Sequence, residues 1–170
     1  MSTCFCCVLF ACGVLCCQAQ PPRTPTRLEA EYYVAVYARH YGVPTGFVRA
    51  IVEQESGWHP CAVSHKGAVG LMQLMPSTAA RLRVRDRYNV HENVAGGVLY
   101  LAWLMHKFHG DLRLVAASYI VGEDVVTRRG LAYRNPEVVS YVSRIRANYR
   151  PQLADGGPGN PVLVRSRVIQ

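Results

Sequence analysis

The amino-acid sequence predicts a mainly α-helical protein with little or no sheet, folded as a single domain over about residues 27–150. Its 170 residues leave room for one core of ordinary size. Half of the residues are hydrophobic and 18% are charged, a composition typical of folded chains. Apolar residues recur at helical spacing between Gly and Pro, and no segment alternates as a strand does.

Cap and stop residues define the first two predicted helices. Thr26 is placed to cap a helix over about 27–41, and Gly42 closes it. Thr45 is placed to cap a second helix, which reaches about Glu55 and stops before a glycine. The two helices are therefore expected to be joined by a short connection.

The next two helices differ in length. Pro76 suits the first position of a short third helix, because the N–H that proline lacks would be unpaired there anyway. The longest helix is predicted over about 92–108, with an apolar face. That face carries Val94, Val98, Leu101, Met105 and Phe108. The pair Gly96-Gly97 inside this helix indicates either close packing against a neighbouring helix or the close approach of a sugar, and helix packing is favoured.

Two further start signals complete the domain. Asp111 is placed to cap a helix that breaks or bends near Gly122. Asn135-Pro136-Glu137 is a strong start signal for a last helix, which runs to about Tyr149. Pro and Gly return beyond this point and helical spacing is lost, so residues 151–170 are predicted to form a flexible tail.

The first residues have the character of a targeting segment. An apolar run at 5–17 is shorter than the roughly 20 residues of a membrane-spanning helix, and cleavage after Ala19 is consistent with its small residues. Six of the seven cysteines lie within residues 1–19, which leaves Cys61 alone in the remainder. Residues 1–19 are predicted to be a signal peptide, either cleaved or retained as a membrane or lipid attachment, and 20–26 a linker. The protein is expected to be exported, to the periplasm or outside the cell.

One glutamate lies on an unusual face of the second predicted helix. Phe47, Val48 and Ile51 form an apolar stripe, and Glu55 continues it. Glu53 falls on the opposite face, where Arg49 is placed to pair with it. An inward-facing carboxyl group at the C-terminal end of a helix is expected to have a raised pKa, because burial and the helix dipole both disfavour its charge. A carboxylic acid that is still protonated near neutral pH can donate a proton to a glycosidic oxygen.

A polar, glycine-bounded segment follows this glutamate. The loop at 58–69 is rich in His, Pro, Ser and Gly, and it leads to Gly67, Gly70 and Gln73. Two glycines that bracket small residues let the backbone approach a ligand closely, and the glutamine amide both donates and accepts hydrogen bonds. The order of these features favours a groove for an uncharged polar polymer such as a glycan.

The motifs in this region, taken together, resemble those of one known family. They are Glu55-Ser56, Ala62-Val63-Ser64-His65-Lys66-Gly67-Ala68, Gly70-Leu71-Met72-Gln73-Leu74-Met75-Pro76-Ser77-Thr78-Ala79, Glu92-Asn93-Val94 with Gly96, Tyr100-Leu101, Phe108-His109-Gly110-Asp111 and Tyr141-Val142. In this order they resemble the catalytic core of the soluble lytic transglycosylase (SLT) family, and the resemblance covers roughly residues 45–149.

The resemblance implies a lysozyme-like α fold with a groove and the cleavage of peptidoglycan. The bond cut in that family joins N-acetylmuramic acid (MurNAc) to N-acetylglucosamine (GlcNAc) through a β-1,4 linkage, and the product ends in 1,6-anhydro-MurNAc. The family's single proton-transferring glutamate corresponds to Glu55, which would act first as acid and then as base. The positions that correspond to the family's substrate contacts are Ser64, Met72, Gln73, Tyr100 and Tyr119.

The chain departs from the family pattern at two positions. The family's Ala-Tyr-Asn-Ala-Gly motif corresponds to Ser118-Tyr119-Ile120-Val121-Gly122, so a polar asparagine is replaced by an isoleucine that neither donates nor accepts a hydrogen bond. A later Glu-Thr pair corresponds to Glu137-Val138. Glu137 is a candidate second carboxylate of the groove, and favourable placement at a helix start explains it equally well.

Other functions remain as alternatives to the transglycosylase. One is a muramidase-type hydrolase in the same groove, and another is a non-catalytic peptidoglycan-binding module. No metal or cofactor is expected, because the proton transfers need none and the histidines are scattered. The net charge of +8 comes without a nucleic-acid recognition motif, so no nucleic acid is expected as a partner. The expected partners are peptidoglycan strands and, in a specialised role, a secretion or conjugation apparatus.

Overall fold

The computed structural model describes residues 25–130 and 135–149, and it confirms the helical fold class. Within these ranges no strand is present, and Val69 forms isolated bridges with Val63 and Leu74. The helices are α1 (Arg27–Tyr41), α2 (Thr45–Ser56), α3 (Pro76–Arg81), α4 (Val90–Lys107), α5 (Leu112–Val121), α6 (Glu123–Arg129) and α7 (Pro136–Asn148). The predicted signal peptide, most of the predicted linker and the predicted tail lie outside the described residues. No helix in the described part combines the length and apolarity that crossing a membrane requires.

The N-terminal ends of the first two helices differ in how they are capped. The Thr26 side chain accepts a hydrogen bond from the Glu29 N–H at 3.2 Å, which confirms the predicted cap of α1. The predicted cap of α2 is wrong by one residue. The carbonyl of Pro44 accepts the N–H groups of Phe47 and Val48 at 2.9 and 3.1 Å, so Pro44 occupies the cap position and Thr45 is already helical.

The longest helix begins two residues earlier than predicted. The side chain of Asn89 accepts a hydrogen bond from the Glu92 N–H at 3.0 Å, and α4 therefore starts at Val90. Asn89, three positions before the expected start, was not used as a cap in the prediction. The predicted apolar face of this helix is buried or half-buried throughout.

The glycine pair in α4 allows a close approach, as its position in the sequence predicted. A Cβ atom at Gly96 would collide with the Val84 side chain, and one at Gly97 would collide with Met72. The helix therefore packs directly on the segment that joins α2 to α4. Close packing within the protein accounts for both glycines.

The last helices follow their predicted signals. Asp111 caps α5 by accepting a hydrogen bond from the Arg113 N–H at 3.0 Å, and Asn135 caps α7 in the same way. The predicted break near Gly122 separates α5 from α6, and this glycine has a positive φ of 85°.

The helices surround one main core in the described part of the chain. α1 packs along α4, while α2 packs against α1 and α7, and α5 packs against α4, α6 and α7. The largest fully buried side chains include Phe47, Ile51, Leu71, Met72, Leu101 and Leu104. This arrangement brings the C-terminal end of α2 close to α7.

A predicted ion pair on α2 is replaced by contacts with other elements. Arg49 was expected to pair with Glu53, but its guanidinium donates to Glu31 on α1 at 3.2 Å. The same guanidinium lies 5.4 Å from the centre of the Trp58 ring. Arg49 thus contacts α1 and an aromatic ring instead of forming an ion pair along the exposed face of its own helix.

Candidate active site

Glu55 lies in the last turn of α2, on the helical face that packs into the protein. Phe47, Val48, Ile51 and Val52 precede it on this face and are buried, and Glu55 itself is half-buried. Burial raises the pKa of Glu55 from its ordinary value of 4.5 to about 7, and a hydrogen bond from a tyrosine offsets only part of this effect. The predicted direction of the pKa is confirmed.

Tyr141 on α7 is the hydrogen-bond partner of this carboxyl group. Its hydroxyl donates to Oε1 of Glu55. Tyr141 shares a buried face of α7 with Val138 and Ile145, and burial together with the Glu55 charge raises the pKa of the Tyr141 hydroxyl. The sequence analysis did not select this residue as part of the site. The available signal was a hydroxyl on an otherwise apolar helical face, since a buried tyrosine hydroxyl needs a partner.

Tyr119 on α5 connects the surroundings of Glu55 with a surface groove. Its hydroxyl donates to the carbonyl oxygen of Met72 at 2.8 Å. Burial and the nearby charge of Glu55 raise the pKa of Tyr119, and its side chain also lines the groove. The predicted site residue Tyr119 is therefore close to both features.

The groove has a volume of about 390 Å³ and is formed by α3, α4, α5 and the start of α6. Tyr100 and Tyr119 line it with ring centres 5.6 Å apart. Ile120 lies beside them in the lining, at the position where the family pattern has asparagine. This part of the groove therefore offers apolar and aromatic surface.

Glu123 lines the groove and was not predicted as a site residue. Glu123 accepts hydrogen bonds from the Tyr100 hydroxyl at 2.7 Å and from the Arg81 guanidinium at 2.8 Å. Burial acts to raise the pKa of Glu123, but these two hydrogen bonds outweigh it and hold the value at about 2. The sequence contains no local signal for this cluster, because its members come from α3, α4 and α6.

Two predicted substrate contacts shape the loop between α2 and α3. The Ser64 hydroxyl accepts a hydrogen bond from the Ala68 N–H at 3.0 Å. The Gln73 amide donates to the carbonyls of Ala62 and Gly70 at 3.1 and 2.9 Å. Both side chains are half-buried, and these contacts join the two ends of the loop.

Asn93 on α4 makes hydrogen bonds to the same loop and was also not predicted as a site residue. This buried side chain donates to the carbonyls of Val69 and Arg87 at 2.9 and 2.8 Å, and it accepts the Met72 N–H at 2.9 Å. Gly70 passes so close to Asn93 that no side chain would fit there. The close approach that the glycines predicted is thus made to another part of the protein.

The remaining predicted contacts lie away from the groove surface. The Met72 side chain is fully buried and packs against Gly97, so only its backbone carbonyl reaches the site. Met75, three residues later, lines the groove and is 39% exposed. Glu137 is exposed in the first turn of α7 and is not among the residues that line the groove.

The described residues contain no group of three or more His, Cys, Asp or Glu side chains arranged to hold a metal ion. His106 and His109 are both exposed at the end of α4. The side chains described above are a protonatable carboxyl group at Glu55, the hydroxyls of three tyrosines and the ion-paired carboxylate of Glu123.

Comparison with known proteins identifies a segment that overlaps most of the one covered by the resemblance. A family model described as "Transglycosylase SLT domain" matches residues 32–138. The chain is 38% identical over 91 residues to the membrane-bound lytic murein transglycosylase F of Desulfosudis oleivorans, covering 50% of this chain and 20% of that protein. It is 42% identical over 82 residues to the membrane-bound lytic murein transglycosylase C of Haemophilus ducreyi, covering 42% of this chain and 22% of that protein.

A solved structure has the same fold over most of the described residues. The 70 kDa soluble lytic transglycosylase of Escherichia coli aligns with a TM-score of 0.62 and 25% identity, covering 74% of this chain and 24% of that protein. The chain thus spans about a fifth to a quarter of the length of these relatives. The likeness supports the predicted all-α, lysozyme-like class.

Proposed function

The chain belongs to the transglycosylase SLT domain family, and from this membership we propose that it is a lytic transglycosylase. Its substrate would be peptidoglycan, cleaved at the MurNAc-β-1,4-GlcNAc bond with formation of a 1,6-anhydro-MurNAc end. The relatives named above are lytic murein transglycosylases, and the groove beside Tyr119 suits an uncharged glycan. The raised pKa of the half-buried Glu55 is the observation that carries the proposal.

Glu55 would carry out both proton transfers. As the neutral acid it donates its proton to the glycosidic oxygen. The bond from that oxygen to C1 of MurNAc then breaks, and GlcNAc leaves with the oxygen as its hydroxyl. As the carboxylate it then accepts the proton of the C6 hydroxyl while the C6 oxygen bonds to C1. The proton is returned to Glu55, so the cycle consumes no water. Tyr141 would keep the carboxyl group in one orientation through both steps.

The groove carboxylate Glu123 is a poor candidate for the second carboxylate of a muramidase-type hydrolase. A hydrolase needs either a base that activates water or a second carboxylate at about 5 Å that acts as nucleophile. Both oxygens of Glu123 already accept hydrogen bonds, from Tyr100 and Arg81, and Glu53 is exposed. Glu55 could serve as the base for either water or the C6 hydroxyl, so the products distinguish the two reactions.

The mass of the released fragments tests the proposal. Purified peptidoglycan sacculi are incubated with the protein, and the soluble muropeptides are analysed by mass spectrometry. A transglycosylase releases fragments lighter by one water than those of a muramidase. Hydrated ends would support the hydrolase, and binding to sacculi without release of fragments would support the non-catalytic binding module.

The cellular setting forms part of the proposal. Peptidoglycan lies outside the cytoplasmic membrane, and two relatives are named as membrane-bound, so the chain would act as an exported protein. The apolar run at 5–17 would direct this export as a signal peptide, to the periplasm or the outside of the cell. General wall turnover and wall opening for a secretion or conjugation apparatus both need the same cleavage.

A further inference from the structure

The aromatic lining of the groove continues beyond the groove itself. Tyr119 and Tyr100 line it, and the next ring in the row is Trp103, one turn further along α4. The Trp103 ring stacks on Tyr100 at 6.0 Å with an angle of 16° between the planes. Trp103 is 44% exposed, so a ligand that leaves the groove at this end meets it.

Two cationic side chains lie over this exposed ring. The Arg81 guanidinium is 5.7 Å from the centre of the Trp103 ring, and the Lys107 ammonium is 5.0 Å from it. Cations in such positions are attracted by the electrons of the indole face. Both positive charges therefore lie within 6 Å of the Trp103 ring at the edge of the groove.

Arg81, Lys107 and Glu123 together carry more positive than negative charge. Arg81 is paired with Glu123 at 2.8 Å, whereas no ion pair in the described ranges 25–130 and 135–149 involves Lys107. One positive charge is left in excess among these three residues. Lys107 is also half-buried, so a partner anion would be screened less than at a fully exposed lysine.

An uncharged sugar has no negative group to pair with this excess positive charge. The proposed substrate carries such a group close to its sugars. The muramic acid ring of peptidoglycan bears a peptide, and that peptide contains carboxylates. We propose that Arg81, Trp103 and Lys107 form a subsite for a carboxylate of this peptide, so that the protein prefers glycan strands that carry peptides. This inference rests on the proposed function and specifies its substrate.

The test compares binding to two forms of one polymer. Sacculi are used either intact or after an amidase has removed the peptides, and binding of the Glu55→Gln protein is measured because this variant leaves the polymer uncut. We expect the intact form to bind more tightly. Lys107→Gln in the same background is expected to reduce this preference by about three- to fivefold, and the reduction should shrink at high salt.

A matched control removes a positive charge elsewhere. Arg39 is exposed in the last turn of α1, a helix that does not line the groove, and Arg39→Gln should keep the preference for the intact polymer. Circular dichroism checks that each variant is folded. Equal weakening by Lys107→Gln on both polymers, or equal preference in Lys107→Gln and Arg39→Gln, would overturn the peptide subsite. Failure to release anhydro fragments from the unmodified chain would overturn the proposed function instead.

Discussion

Glu55 and Glu123 are two partly buried glutamates near one groove, and their pKa values are about 7 and about 2. Each accepts a hydrogen bond from a tyrosine hydroxyl, from Tyr141 and Tyr100 respectively. Two things differ: Glu55 is the more strongly desolvated of the two, and Arg81 pairs with Glu123, whereas no ion pair within the described residues involves Glu55. A tyrosine alone does not keep a buried carboxylate ionised, and a guanidinium beside it does.

The largest expected effect comes from replacing the carboxyl groups of Glu55 and Glu123 one at a time. Glu55→Gln is expected to lower the release of anhydro fragments about 1,000-fold, because the glutamine keeps the shape but has no proton to donate. Glu123→Gln is expected to change kcat/KM by less than about fivefold, because it removes one partly exposed ion pair. Both rates are measured on sacculi by fragment release.

Glu53→Gln is the matched control for this pair of variants. Glu53 lies on the same helix and is exposed, so its replacement should leave the rate within about twofold of the unmodified chain. Similar rates for Glu55→Gln and Glu53→Gln would show that Glu55 does not donate the proton.

The pH dependence of the free energy of unfolding tests the raised pKa of Glu55 without substrate. The pKa of Glu55 is about 7 in the folded chain and near 4.5 when unfolded, so the folded chain holds this proton more tightly. Its stabilising contribution is complete below pH 4.5 and is lost as pH rises to 7 and slightly above. We expect the unmodified chain to lose about 2 kcal/mol more than Glu55→Gln between pH 5 and 8.

Urea unfolding at each pH, followed by circular dichroism, gives this difference. The comparison with Glu55→Gln removes the contributions of the other titrating groups, which both proteins share. Parallel curves for the two proteins would show that Glu55 has an ordinary pKa in the folded chain, and would contradict its role as a neutral acid.

The smallest expected effect concerns the hydrogen bond from Tyr141. This bond lowers the pKa of Glu55, so Tyr141→Phe is expected to raise it by about one unit. The alkaline limb of the pH profile of kcat/KM, where Glu55 loses its proton, should move up by the same amount. Tyr88→Phe changes an exposed tyrosine and should leave the limb in place, and a downward shift in Tyr141→Phe would contradict the assigned role of the hydroxyl.

The helices were predictable because their signals are local. Thr26, Asp111 and Asn135 each accept a hydrogen bond from a backbone N–H two or three residues away, so neighbouring residues in the sequence determine the cap. The start of α2 was misplaced by one residue because the carbonyl of Pro44 served instead of the Thr45 side chain. Such errors remain at helix ends, where two adjacent residues compete for one position.

The site was only partly predictable, because its contacts join distant segments. The raised pKa of Glu55 followed from one helical stripe, whose period places the carboxyl group inside. The family resemblance implied Met72 as a substrate contact, but its side chain is buried against Gly97, and Met75 lines the groove. Met72 and Gly97 are 25 residues apart in the sequence, so their contact has no local signal.

By itself, the sequence determined the helical class, most helix boundaries and the inward position of a single acid, since all three depend on residues within a few turns of one another. The tertiary structure decided what surrounds that acid. Tyr141 is 86 residues from Glu55 in the sequence, and Arg81 is 42 residues from Glu123. Electrostatic interactions depend on distance in space, so only the folded chain sets which side chains pair with the two glutamates.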